Sequence, residues 1–198
     1  PQMVRTGIPV IREINETTGS ITLNYQISAK NTDGGTELYE VSDFYRMRYT
    51  QERVMLLDFQ RSAQQVFDPT LSVANAQGLN LGVVSKKLEY VTNPSADIVA
   101  FVQTGDLWSY SQSASKATRI FSFRRDKNSD ERDDNQQHNM QVLQVDESGD
   151  MDFVVYGYMN RGPHEGYVGV AVYHYSSTQN AIEERVFVPS TLSYEFLE

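Results

Sequence analysis

Cysteine is absent from these 198 residues, which excludes a disulfide framework and any thiolate metal site. A cysteine-free chain suits bacterial exported proteins and cytosolic ones alike. Basic residues are in deficit, 17 Lys and Arg against 26 Asp and Glu, for a formal charge of −9. That balance argues against nucleic acid or an anionic membrane surface as a partner. No apolar run approaches the roughly 18 residues that cross a bilayer, so no membrane contact is expected of this segment. Tryptophan occurs once, whereas tyrosine occurs 12 times and phenylalanine 9 times, a bias toward half-buried pleated surfaces.

What is present is a repeat. Residues 97–123 read DIVAFVQTGDLWSYSQSASKATRIFSF, and residues 152–187 read DFVVYGYMNRGPHEGYVGVAVYHYSSTQNAIEERVF. Each copy opens on an acidic residue and an apolar strand (98–102, 153–158), passes a glycine-bearing turn into a strand rich in aromatics and serine, and closes on a third apolar strand (119–123, 185–188). The second copy is longer, chiefly at residues 160–166. With a further strand at 140–145 and the turn Asp146-Glu-Ser-Gly-Asp150, residues 140–188 count as four consecutive antiparallel strands, the number in a propeller blade. The expected fold is therefore all-β, antiparallel meanders forming propeller-like blades of a partial β-propeller, with a β-sandwich as the alternative.

Two regions are expected, a β-rich N-terminal part over 1–75 and the repeated blades over 76–198. In the first, a strand at 8–14 and a turn at 15–20 precede Ile21, Leu23, Tyr25 and Ile27, which alternate with polar residues and predict one buried and one wet face. Asn31-Thr-Asp-Gly-Gly is a hairpin signal. A strand follows over 38–49, then a short buried strand over 55–59. Residues 61–67 suit one or two helical turns, stopped by Asp68-Pro69. The aperiodic stretch 73–78 fits a crossing loop, with strands again at 79–84 and 88–91. Between the repeats, residues 124–139 hold no aliphatic or aromatic side chain and predict a solvated loop.

These residues carry a resemblance. The runs GDLWSY, FSFR with its acidic loop and His138, VVYGYMNRG-HEG, VGVAVYHY and EERVFVP resemble a large uncharacterised family of bacterial proteins, long chains of Gram-positive anaerobes that are anchored to the membrane at one end and carry a propeller-like portion in the middle. The resemblance covers about residues 7–198. It implies a cell-envelope or extracellular location and a propeller-like fold, and it brings no catalytic residue. The chain is accordingly expected to be a segment of a longer polypeptide whose neighbouring blades complete it.

Catalytic motifs are missing: there is no H-E-x-x-H, G-x-S-x-G, Walker loop or dinucleotide fingerprint. Ser109, Ser111, Ser113 and Ser115 recur every second residue without a neighbouring base. Asp126-x-Asn128-x-Asp130 imitates the opening of a calcium loop, yet Glu131 replaces the turn glycine and Gln137 the bidentate glutamate. No metal or cofactor is called for. The informative stretch is Asn160-Arg-Gly-Pro-His-Glu-Gly166. It unites Arg161, His164 and Glu165 on a backbone freed by glycine, between Tyr156, Tyr158 and Tyr167, which suggest an aromatic platform for a sugar or peptide. His164 and Glu165 also suggest a base and its orienter. The bland reading makes it a long hairpin connection whose Arg161 and Glu165 pair with each other or with a neighbouring blade.

Two function classes follow. The leading one is a non-enzymatic structural or interaction module of the bacterial envelope with a protein or glycan partner. The other is a carbohydrate-active or peptidase-like enzyme whose site is assembled from blades outside this segment. Residues 185–188, with apolar Val186, Phe187 and Val188, form an edge expected to be covered by residues 8–27 or to self-associate into a homo-oligomer by strand addition. Because the calcium imitation is incomplete, a chelator is expected to leave the melting temperature unchanged. A drop of several degrees that calcium restores would show the acidic loop to be a cation site.

Overall fold

The computed structural model describes residues 1–30, 34–69, 74–75, 78–79, 88–125 and 130–197. Expectations on 31–33, most of 79–84 and 126–129 lie outside the described residues. Among the described residues the chain is all-β and antiparallel, with 62% of them in strands. It divides into two compact units, the first holding residues 1–68 and the second holding the strands from residue 74 onward.

The first unit is one sheet of five strands: β1 (Gln2–Arg5), β2 (Val10–Ile14), β3 (Thr18–Lys30), β4 (Thr36–Tyr49) and β5 (Val54–Val66). β4 lies between β3 and β5, while β1 and β2 follow one another along the far edge of β3. The region 8–27 contributes its strands to this sheet. Gly7 sits between β1 and β2 so close to β3 that a Cβ would stand 1.6 Å from the Asn24 carbonyl oxygen. Lys30 pairs with Thr36, as the hairpin signal implied.

Three expectations are corrected here. The stretch 55–59 is neither short nor buried: it belongs to a 13-residue strand, and Leu56 is 59% exposed. Residues 61–66, read as helical, continue that strand, because the ladder to β4 from Asp43↔Arg61 to Leu38↔Val66 overrides local helix propensity. In β3 the deeply buried positions are Ser20 and Thr22, with Ile21, Leu23, Tyr25 and Ile27 half-buried. Arg12 on β2 reaches across to donate through Nε to Thr22 Oγ1 at 3.1 Å.

The second unit opens with a small hairpin of β6 (Ala74–Asn75) and β7 (Gly78–Leu79). Two four-stranded meanders follow. The first comprises β8 (Tyr90–Thr92), β9 (Ile98–Gln103), β10 (Asp106–Ser111) and β11 (Lys116–Ser122). The second comprises β12 (His138–Val145), β13 (Met151–Tyr158), β14 (Val168–Ser176) and β15 (Ala181–Pro189). In each, neighbours in sequence are neighbours in the sheet. The two pack on each other through Ala100, Leu107 and Ile120 of the first and Met140, Val142, Phe153, Val155 and Ala171 of the second. Phe121 reaches into this layer to meet Phe153 edge-on at 5.8 Å and Tyr173 at 5.3 Å.

The strict alternation of buried and half-buried residues along β13 comes from the period-two pleat. Gly157 keeps its buried place in it at φ +114, where a Cβ would stand 2.5 Å from the Gln137 carbonyl oxygen and 2.6 Å from the Tyr194 ring. Opposite Gly157 lies His138, 9% exposed, with its ring set edge-on to Phe123 at 4.9 Å. Both ring nitrogens are buried and neither makes a hydrogen bond of good geometry, although the Gly105 backbone lies close to the ring.

Burial pushes the His138 imidazole from 6.5 down to about 4. The Gly105 backbone pulls the other way, and the Arg124 charge adds to the depression. A folded state that refuses a proton accepted by the unfolded chain loses stability as acid is added. The contribution is complete above pH 6.5 and is lost as the pH falls toward 4, about 3 kcal/mol in all. Urea midpoints followed through that window are expected to decline in the native chain, and His138→Gln, which carries no titrating proton there, is expected to flatten the decline. An equal slope in both would assign the acid sensitivity elsewhere.

Candidate functional site

The loop between β13 and β14 is built against the segment between the two meanders. That segment, expected to be a wholly solvated loop, turns through a 3₁₀ helix, Glu131–Asp134, started by Asp130, whose side chain accepts from the Arg132 amide at 3.0 Å. Asp133 on this turn is 3% exposed. Polarity alone misplaced it, because a carboxylate with a fixed cationic partner can be buried.

Arg161 is that partner. Its Nη2 donates to Asp133 Oδ1 at 2.7 Å and to Asp130 Oδ1 at 2.6 Å, and its Nε donates to the Phe123 carbonyl at 2.8 Å. Asn160, 1% exposed, donates its amide to the carbonyls of Arg132 at 2.9 Å and Asn135 at 2.7 Å. Arg132 completes the lattice, reaching Asp130 Oδ2 at 2.6 Å and Glu165 Oε1 at 2.8 Å. The Arg132 hydrogen bonds come first among the causes that hold the Asp130 carboxyl far below its ordinary range, with Arg161 adding to them. Burial opposes the Arg161 charge, and Asp133 and Asp130 outweigh it and raise the pKa of the guanidinium. Of the calcium-like stretch, only Asp130 is described, and both its oxygens are taken by arginines.

His164 turns elsewhere. Its ring stacks on Phe187 with centroids 3.8 Å apart and planes 12° apart, and its Nε2 shares a hydrogen bond with Glu184 Oε1 at 2.8 Å. Glu184 accepts from the Tyr173 hydroxyl through its other oxygen at 3.2 Å. Burial and then the Glu184 charge raise the Tyr173 phenol well above its ordinary value, so it acts as a donor. Phe187 can lie flat there because Gly169 faces it, a Cβ on which would stand 2.7 Å from the ring.

The seven residues singled out in sequence therefore do not converge. Asn160, Arg161 and Glu165 join the inter-loop lattice. His164 and Glu165, suggested as a base and its orienter, bind Glu184 and Arg132 instead of each other. Tyr156 and Tyr158 share the face of the second meander opposite to Phe153 and Val155, beside Val170 and Val168, while Tyr167 is 60% exposed. The partners that sequence reasoning missed are Asp130, Arg132, Asp133, Glu184 and Phe187. Glu184 and Phe187 were discoverable from the register of β14 with β15, whereas the carboxylates of the acidic segment resemble solvated ones until their partners are known. Among the described residues no group of three or more His, Asp or Glu side chains is placed to hold a metal ion.

Comparison with protein-family models, with curated proteins and with solved structures finds no match to this chain. The site is thus read from its own chemistry, which is that of a staple between two loops.

Truncating Arg161 leaves the buried Asp133 carboxylate without its cation. Arg161→Ala is expected to cost about 2–4 kcal/mol of stability, and Arg132→Ala, whose side chain is 37% exposed, far less. Chemical denaturation of the two variants checks this, and equal losses would contradict the assignment of the lattice's weight to Arg161.

Proposed function

We propose that the second unit is a pair of propeller-like blades within a structural or interaction module of a bacterial cell-envelope protein, one that binds a protein or glycan and catalyses no reaction. The observation that carries the reading is that the second meander bears an apolar patch on its outer face as well as on its inner one, set beside the polar Gln141, Gln144, Asp152 and His174. Its inner face holds the core, and its outer face presents Val154, Val172, Val170, Val186 and Val188 in register. Val186 and Val188 are 47% and 57% exposed. A sheet that faces water on one side alternates apolar with polar residues, whereas a sheet placed between two neighbours does not. A further blade stacked on the valine face accounts for that pattern.

Support for a binding rather than a catalytic role comes from the loop at residues 160–166. Its cation, imidazole and carboxylate are each engaged by a neighbouring side chain, as befits a rigid rim. The envelope location rests on the family resemblance of the repeat. Glycan and peptide arrays probed with the chain, and read both for retention and for cleavage of the immobilised compounds, test the proposal. Retention without turnover is the expected result, and hydrolysis of any arrayed compound would overturn it.

A further inference from the structure

The side chains that tie the 160–166 loop to the 3₁₀ turn are buried more deeply than their bonds to protein account for. Asp133 and Asn160 are 3% and 1% exposed, and the Arg161 side chain is 11% exposed. Each is bonded to protein at one end and has no partner among the described residues at the other. Asp133 Oδ1 accepts from Arg161 Nη2, whereas its Oδ2 has no donor. Asn160 Nδ2 donates to the Arg132 and Asn135 carbonyls, whereas its Oδ1 has no donor. Arg161 donates through Nε and Nη2, whereas its Nη1 has no acceptor. Buried polar groups are normally satisfied, and one left bare is costly.

The side chains cannot cure this among themselves. Exchanging the nitrogen and oxygen of the Asn160 amide would set an oxygen against two carbonyl oxygens. A bidentate fork would join Arg161 Nη1 to Asp133 Oδ2 as Nη2 is joined to Oδ1. Here Nη2 is shared between Asp133 at 2.7 Å and Asp130 at 2.6 Å. That sharing offsets the guanidinium and leaves the second arm of the fork open.

The bonding pattern identifies the guest. Asp133 Oδ2 and Asn160 Oδ1 each need a hydrogen, and Arg161 Nη1 needs a lone pair. A water molecule supplies all of these at once, with about three bonds, the number usual for a buried water. A metal cation is repelled by the guanidinium, and an anion by Asp133 and Asp130.

We propose that the staple is completed by a buried water molecule, which donates to Asp133 Oδ2 and Asn160 Oδ1 and accepts from Arg161 Nη1. It takes the place of the missing arm of the fork and ties that arm to Asn160, so that the loop and the turn close around it. The water exchanges with bulk solvent only when the 160–166 loop lifts.

Two measurements on the whole chain test this. A high-resolution crystal structure is expected to show one water within hydrogen-bond distance of all three atoms. The three atoms bonded to one another with no solvent between them, or a metal ion or anion held there, overturns the proposal. In solution, cross-relaxation from water to the Asn160 side-chain amide is expected to carry the sign of a long-lived molecule, and its absence overturns the proposal. Oxygen-17 relaxation dispersion of the solvent counts such waters, and Asn160→Ala, which removes an acceptor of the water and two bonds that hold the loop closed, is expected to lower the count by about one. A count that stays or rises places the long-lived water elsewhere. The native chain decides the matter alone if the variant does not fold.

Discussion

Every β-sheet has two faces that need cover and two edges that need hydrogen-bond partners, and the two units of this chain meet that constraint differently. In the second unit the faces are settled by stacking one meander on another. Leu107, Phe153, Val155 and Ala171 are fully buried between them. Phe121, Phe153 and Tyr173 interlock as edge-on, tilted and stacked rings at 5.3 to 5.8 Å. In the first unit a single sheet carries long strands with few wholly buried apolar side chains, Val41 and Phe67 among them. Its cohesion rests more on its backbone ladders and on one polar cluster, and such a sheet exposes more to a partner than a two-layer core does.

That polar cluster and the Arg161 lattice share a design. Asp43 is 1% exposed. It accepts from Arg61 at both oxygens and from the Tyr25 and Tyr45 hydroxyls at 3.1 Å. Arg61 comes first among the groups that hold its carboxyl below the usual range, against the opposing effect of burial. In the second unit, Asp133 occupies the equivalent role beneath Arg161. A buried ion pair contributes little net stability against an apolar replacement of the same shape, yet losing one member is costly. Such pairs penalise wrong arrangements more than they stabilise the right one.

The repeat was legible because its strands are short, bounded by turn residues and amphipathic at period two. The sequence-read strands at 98–102 and 153–158 coincide within a residue or two with β9 and β13. β5 was misread for a physical reason. The run Val54-Met-Leu-Leu57 is as apolar as a core strand, and hydrophobicity does not reveal whether an edge is covered. The following Ser62-Ala-Gln-Gln65 favours helix locally, but its pairing with β4 decides its state. At the site, the loop 160–166 stood out by its insertion and its glycines. Its partners did not, because Asp130 and Asp133 lie about thirty residues away from Arg161 in a stretch whose composition is that of a solvated linker.

Register is the point on which these observations meet. Side chains alternate across a strand, so a slip of one residue carries every side chain to the opposite face. In the first sheet both faces are mixed in polarity, so hydrophobic burial discriminates weakly between registers. Asp43 supplies the discrimination. A one-residue shift of β5 brings Gln60 or Ser62 opposite Asp43 in place of Arg61, leaving a carboxylate that is almost wholly buried without a cation. Tyr25 acts in the same way on the alignment of β3 with β4, since its hydroxyl reaches Asp43 across that pair of strands, while Tyr45, on β4 itself, adds a further hydrogen bond to the carboxylate. The charge pair thus selects the strand alignment that apolar patterning leaves open.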